Sequence, residues 1–203
     1  AAAVPTSQAA GSGSDIVPVV LLRRSDKKPP DGRSADVLVP ADLRTDEIAR
    51  RLEMAADQMA AKRWREAVDG FRAVLAVAPD LAEARAALGS VLLVLGRSVE
   101  AVGELRRAAE RLNTSVAWNN LGWAQSVAGQ ADDARRSLIK AIESDPTNLE
   151  PQRNLAALFE TLEMPREAAA AYDLILLTAP GDPEALKGKI RCGERPETAA
   201  RPS

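Results

Sequence analysis

The chain has 203 residues, 46% of them hydrophobic, and a formal net charge of −2 with acidic and basic side chains interspersed. That composition suits a folded protein and lacks the basic stripe that holds phosphate backbones, so nucleic acid is not an expected partner. Histidine is absent and the lone cysteine is Cys192. Histidine-dependent catalysis, a thiolate or imidazole metal site and an intrachain disulfide are therefore all excluded, and no cofactor is expected.

Aromatic residues make up 3% of the chain and alanine is abundant. Small side chains of high helix propensity favour helices that approach closely over a pleated sheet. No apolar run nears the roughly 18 residues that a membrane helix needs, so no membrane span is expected. The start at Ala1 rather than methionine leans toward a processed, exported or organelle-targeted chain.

Residues 1–45 read as an irregular N-terminal arm of low complexity, since Pro5, Gly11, Gly13, Pro18, Pro29, Pro30, Gly32 and Pro40 interrupt any helix. Its two β-branched runs, residues 16–22 and 37–39, suit an extended conformation. Such an arm serves either as a linker or as a segment that docks on a partner or on the rest of the chain.

Thr45, followed by Asp46 and Glu47, is the expected start of the first helix, with a capping hydroxyl and acidic groups at the positive end of the helix dipole. Helical patterning then continues through residues 46–191. Breaks recur at Pro79, Gly96, Asn113, Gly129, Pro146, Pro165 and Pro180–Pro183, giving helices of about a dozen residues. Residues 192–203 are polar and proline-bearing and are expected to form a disordered tail.

Within that helical segment the sequence repeats with a period of about 34 residues. Units beginning at Ile48, Ala82, Ser115 and Leu149 span residues 48–81, 82–114, 115–148 and 149–182. Alanine occupies the twentieth place of each: Ala67, Ala101, Ala134 and Ala168. The seventh place holds Met54, Leu88, Leu121 and Leu155; the eighth is small, with Ala55, Gly89, Gly122 and Ala156. Phe71, Leu105, Leu138 and Tyr172 fill the twenty-fourth place, and Val74, Ala108, Ala141 and Ile175 the twenty-seventh. Small residues at the eighth and twentieth places let two helices of a pair come close, while the large ones fill the space around them. A lone pair cannot bury its apolar face, so the units must stack, and the stack needs a polar-faced cap. Asp182, Pro183 and Glu184 open that capping helix over residues 183–191.

The third unit, with Trp118, Leu121, Gly122, Ala134, Leu138, Ala141 and Pro146, resembles a tetratricopeptide repeat, departing from it at Gln125, where an aromatic is usual. The resemblance implies an all-α fold: an α-solenoid of about four helix-turn-helix pairs plus the capping helix. It also implies that first helices line an inner groove that binds a segment of another protein. The related pentatricopeptide repeat, a reader of RNA, is the less favoured resemblance.

Groove-facing places on the first helices, read from helical geometry, give Ala86, Ser90, Leu93, Asn119, Trp123, Ser126, Arg153, Asn154 and Ala157 as candidate partner-binding residues. Trp123 is the expected anchor, because an indole offers a large, stiff contact surface. Trp118 and Trp64 are expected to be structural. Arg153, Asn119 and Asn154, with Lys187 and Arg191 beyond them, could receive a carboxylate. In chaperone-binding members of the family, lysines help clamp a peptide's terminal carboxylate. Leu52, Ala86 and Asn119 stand at those lysine places here, so the full clamp is not expected. The expected groove is apolar toward its N-terminal end and polar to basic toward its C-terminal end.

The acidic pairs Asp132–Asp133 and Glu100–Glu104 lie on second helices and read as helix-dipole and surface charges rather than catalytic groups. The functional expectation is a non-catalytic scaffold or assembly factor. The alternative is an accessory subunit of a large complex, anchored through its N-terminal arm.

Overall fold

A computed structural model describes residues 41–193, with side chains from Thr45 onward. The expected arm, apart from its last residues, and the tail beyond residue 193 lie outside the described residues. The helices run in chain order as α1 (Ala41–Ala60), α2 (Trp64–Val77), α3 (Ala82–Val94), α4 (Ser98–Leu112), α5 (Ser115–Val127), α6 (Ala131–Ser144), α7 (Leu149–Thr161), α8 (Pro165–Thr178) and α9 (Pro183–Arg191). No strand occurs among the described residues.

α1 begins four residues before the expected position, so Thr45 lies inside the helix and does not cap it. Pro40 precedes that start, and nothing in the next four residues breaks a helix. The remaining unit boundaries fall where the repeat places them. Thr114 and Asn148 cap α5 and α7 by accepting backbone N–H bonds from Ala117 and Glu150. Asp182 caps α9, its Oδ1 accepting from the Ala185 N–H at 2.9 Å, and Pro183 occupies the first turn, where no N–H is needed.

Short turns make consecutive helices antiparallel neighbours. Each turn within a pair carries one residue in the left-handed region: Lys62, Gly96, Gly129 and Glu163, with φ of 57°, 72°, 75° and 56°. Between units two and three, Asn113 adopts φ 47° at the end of α4, which closes the unit that lacks a proline.

Across pairs, first helices touch one another: α1 with α3, α3 with α5, α5 with α7. Second helices of successive pairs make no comparable contact among the described residues. The first helices are thus crowded on the inside of a curved stack and the second helices are splayed on its outside. This is the α-solenoid that the repeat predicts.

Small eighth-place residues let each pair close. A Cβ on Gly89 would meet Leu105 Cγ at 2.5 Å, and one on Gly122 would meet Leu138 Cγ at 2.7 Å. Phe71, Leu105, Leu138 and Ile175 are fully buried, each contributing roughly 1.5–3 kcal/mol of burial free energy. Unit one departs from the expected core: Met54, at its seventh place, is 61% exposed. No pair precedes α1 among the described residues to cover it.

The core forms two apolar clusters, one spanning α1–α5 and the other α6–α9. At their junction the Ser137 hydroxyl donates to Gln125 Oε1 at 2.7 Å, both side chains being buried. The unusual Gln125 is thus paired in the core. Trp64 and Trp118 pack against the first cluster. Trp118 Nε1 also donates to Asn113 Oδ1 at 2.9 Å, and Lys140 Nζ lies 4.3 Å from its ring centroid.

Candidate functional site

On the inner side, α3, α5 and α7 enclose a pocket of about 230 Å³ lined by Ser90, Leu93, Val94, Asn119, Asn120, Trp123, Glu150 and Asn154. Helical spacing explains the set. Asn119 and Trp123 are one turn apart on α5, as are Ser90 and Val94 on α3 and Glu150 and Asn154 on α7. Leu93, Val94 and the half-buried Trp123 supply an apolar wall, and the three asparagines supply amide donors and acceptors.

Asn154 Nδ2 donates to Asn119 Oδ1 at 2.8 Å, which ties α7 to α5 across the pocket. Asn120 is 9% exposed and makes no hydrogen bond with the described residues. Its amide atoms remain accessible from the pocket, where an incoming group can offer a donor and an acceptor. A peptide backbone supplies one of each.

Of the nine candidate residues, Ser90, Leu93, Asn119, Trp123 and Asn154 are brought together in this pocket. Ala86 is buried, and the buried Ser90 hydroxyl donates to the Ala86 carbonyl at 2.9 Å, so these two form the floor where first helices pack. Ser126, Arg153 and Ala157 are half-buried and do not line the pocket. Val94, Asn120 and Glu150 complete the lining, and each stands beside or on the groove-facing stripe.

The basic end of the groove is different from the expectation. Arg153 donates to both Asp182 carboxylate oxygens, at 2.6 and 3.3 Å, and lies 3.8 Å from Glu150. Arg191 pairs with Glu160 at 3.0 Å and donates to the Tyr172 hydroxyl at 3.0 Å, while Lys187 pairs with Glu184 at 2.9 Å. Arg153 beside it, and the Ala185 N–H after that, hold the Asp182 carboxyl below its ordinary pKa. Arg153 and Arg191 are paired across to the start of α9 and to α7 and α8, and Lys187 is paired within α9 itself. They do not form an open carboxylate receptor.

Two larger clefts, of about 460 and 360 Å³, are lined chiefly by charged residues, the first on α3, α4 and the turn before α3, the second on α2 and the α3–α4 turn. In the first, Arg85 is already committed to the Pro79 carbonyl and to Glu104 at 2.7 Å; in the second, Arg97 is paired with Glu100 at 2.7 Å. The acidic pairs of the second helices are likewise ion-paired or exposed. No cluster of three metal-ligating side chains occurs among the described residues.

None of the curated proteins matches the chain in sequence. Among solved structures, it superposes on a MamA protein with a TM-score of 0.67, at 17% identity over 73% of this chain and 81% of that one. It is also similar to YrrB, described as a TPR protein with an unusual peptide-binding site (TM-score 0.61, 17% identity, 75% and 83% covered). A third likeness is to a chain of the APC/C hetero-tetramer Cut9-Hcn1 (TM-score 0.62, 16% identity, 71% and 29% covered). A tetratricopeptide repeat family model matches residues 52–116 and 119–192. The four stacked pairs, their small eighth-place residues and this match, which spans most of the molecule, agree: the chain belongs to the tetratricopeptide repeat family.

Proposed function

We propose that this protein is a non-catalytic scaffold or assembly factor that binds a segment of a partner protein on its inner face, at the pocket around Trp123. Its fold and family are those of interaction modules. One observation carries the reading: an indole and the Asn120 amide, which makes no hydrogen bond with the described residues and stays accessible, converge on one inner pocket. The indole gives apolar area at low entropic cost, and the amide can hydrogen-bond the backbone of an extended chain irrespective of its sequence. YrrB, of similar fold, is described as having a peptide-binding site, and the chain matched in the APC/C hetero-tetramer Cut9-Hcn1 is part of an assembly; both support the reading by analogy.

The internal neutralisation of Arg153 and Arg191 favours a mid-chain or apolar segment over a free terminal carboxylate. It also changes the variant of choice. Reversing the charge of Arg153 would break its ion pair with Asp182 between α7 and the start of α9, so a loss of binding there would not report on the groove alone. Trp123→Ala and Asn120→Ala leave that end intact. With a partner captured from the native source and its binding segment mapped, each variant is expected to weaken the segment's affinity about tenfold or more, a loss of about 1.4 kcal/mol, with helicity by circular dichroism unchanged. Equal affinity in both variants would place the contact elsewhere.

A further inference from the structure

We propose that the outer face of α1, at the N-terminal end of the stack, is a self-association surface on which α1 packs antiparallel against α1 of a second copy. Three places of the first helix set that end apart. In units two to four the third place is Ala84, Ala117 or Pro151 and the tenth is Val91, Ala124 or Leu158, all buried, as are the seventh-place leucines between them. Unit one carries Arg50, Met54 and Asp57 at the same places, all exposed. Ala55, which packs against Gly70 of α2, stays fully buried, so the uncovered face is the one that a preceding pair covers in the other units. Neither Arg50 nor Asp57 makes an ion pair or a side-chain hydrogen bond among the described residues.

Those two charges select the occupant. A further helix pair of the solenoid kind would lay apolar side chains over Arg50 and Asp57 and bury both without partners, a heavy desolvation cost for covering one thioether. An end shaped for solvent alone would be polar at the seventh place as well. The face instead suits a helix with an acidic and a basic group in reverse order around an apolar centre. α1 turned antiparallel is such a helix. Arg50 and Asp57 lie two turns apart, and a twofold axis between residues 53 and 54 sets Arg50 of each copy opposite Asp57 of the other, with the two Met54 side chains meeting beside the axis. Glu53 and Arg51 fall on the flanks, where Arg51 is already held by Glu47. Such an isologous contact closes on itself, giving a dimer rather than a fibre. One helix against one helix is a small interface, below about 1,200 Å², so the dimer is weak and reversible, with a Kd on the order of micromolar or above. The contact uses α1 alone and leaves the pocket on α3, α5 and α7 open, so a dimer presents two inner faces at once.

Sedimentation of the full chain over a dilution series through the micromolar range tests this, and a reversible monomer-dimer equilibrium is expected. Arg50→Asp makes the face wholly acidic and Asp57→Arg makes it wholly basic, so each variant alone should dimerise about tenfold more weakly than wild type or not at all. Mixed in equal amounts, the two variants should associate with each other, because every reversed group then meets its opposite. The double variant Arg50→Asp, Asp57→Arg should regain self-association. Both positions are exposed, so helicity by circular dichroism should match wild type throughout. A wild-type chain that stays monomeric, a dimer indifferent to both reversals, or single variants that remain apart when mixed would each overturn the proposal.

Discussion

A methyl group on Gly122 would stand 2.7 Å from Leu138 Cγ and 3.2 Å from the Leu138 backbone nitrogen, whereas one on Gly103 would meet nothing within 4 Å. Both glycines are helical, so alanine brings each the same gain in helix propensity, up to about 1 kcal/mol. At Gly122 the overpacking, roughly 1–3 kcal/mol, outweighs it. Urea denaturation should therefore show Gly103→Ala stabilised and Gly122→Ala destabilised, by about 0.5–1 and 1–2 kcal/mol respectively. Two shifts of the same sign would contradict the close-approach account. The eighth place was legible from sequence because a small residue recurs there in every unit; the pairing of Gln125 with Ser137 was not, since it depends on two residues whose places vary between units.

Tyr172 carries a pH dependence at the same scale. Burial, reinforced by Glu160 nearby, pushes its hydroxyl up to about 12 from an ordinary value near 10. The raised value means that the stability it supports is fully present below pH 10 and is lost as the pH climbs through 12. Denaturation midpoints at pH 9 and 12 should diverge more in the wild type than in Tyr172→Phe. Parallel losses in both proteins would show that the phenol is not the group responsible.

Among the helices, α9 is the one held by ion pairs as much as by burial. Asp182 caps it and receives Arg153 from α7, while Lys189 reaches Asp173 on α8 at 2.6 Å and Gly188 sits against the Tyr172 ring. Asp182→Ala removes the cap and strands Arg153, an expected loss of about 1–2 kcal/mol. Hydrogen exchange should speed up in α9 and the end of α7 while α1–α4 stay protected, because a solenoid transmits little beyond its nearest neighbours. Uniform loss of protection would argue for one global unit instead. The capping helix was legible in Asp182-Pro183-Glu184; the destination of Arg153 was not, since it lies opposite a residue 29 positions away. The same holds for Lys62 and Glu163, whose left-handed turns are announced by glycine only in units two and three.

At the scale of the whole molecule, the curve follows from which helices touch. Among the described residues first helices are packed against each other and second helices make no comparable contact, so groove-facing residues could be named from repeat register alone. Five of nine meet at the pocket; the others went to helix packing, to ion pairing or to places beside it, which register does not distinguish. An unbiased peptide selection on the wild-type protein, followed by titration of the recovered peptides against wild type and Trp123→Ala, tests whether that inner pocket is a recognition surface. Recovery of a shared extended motif whose affinity drops about tenfold or more without the indole is the predicted result. Failure to enrich any motif, or enrichment of peptides that bind Trp123→Ala equally well, would contradict it.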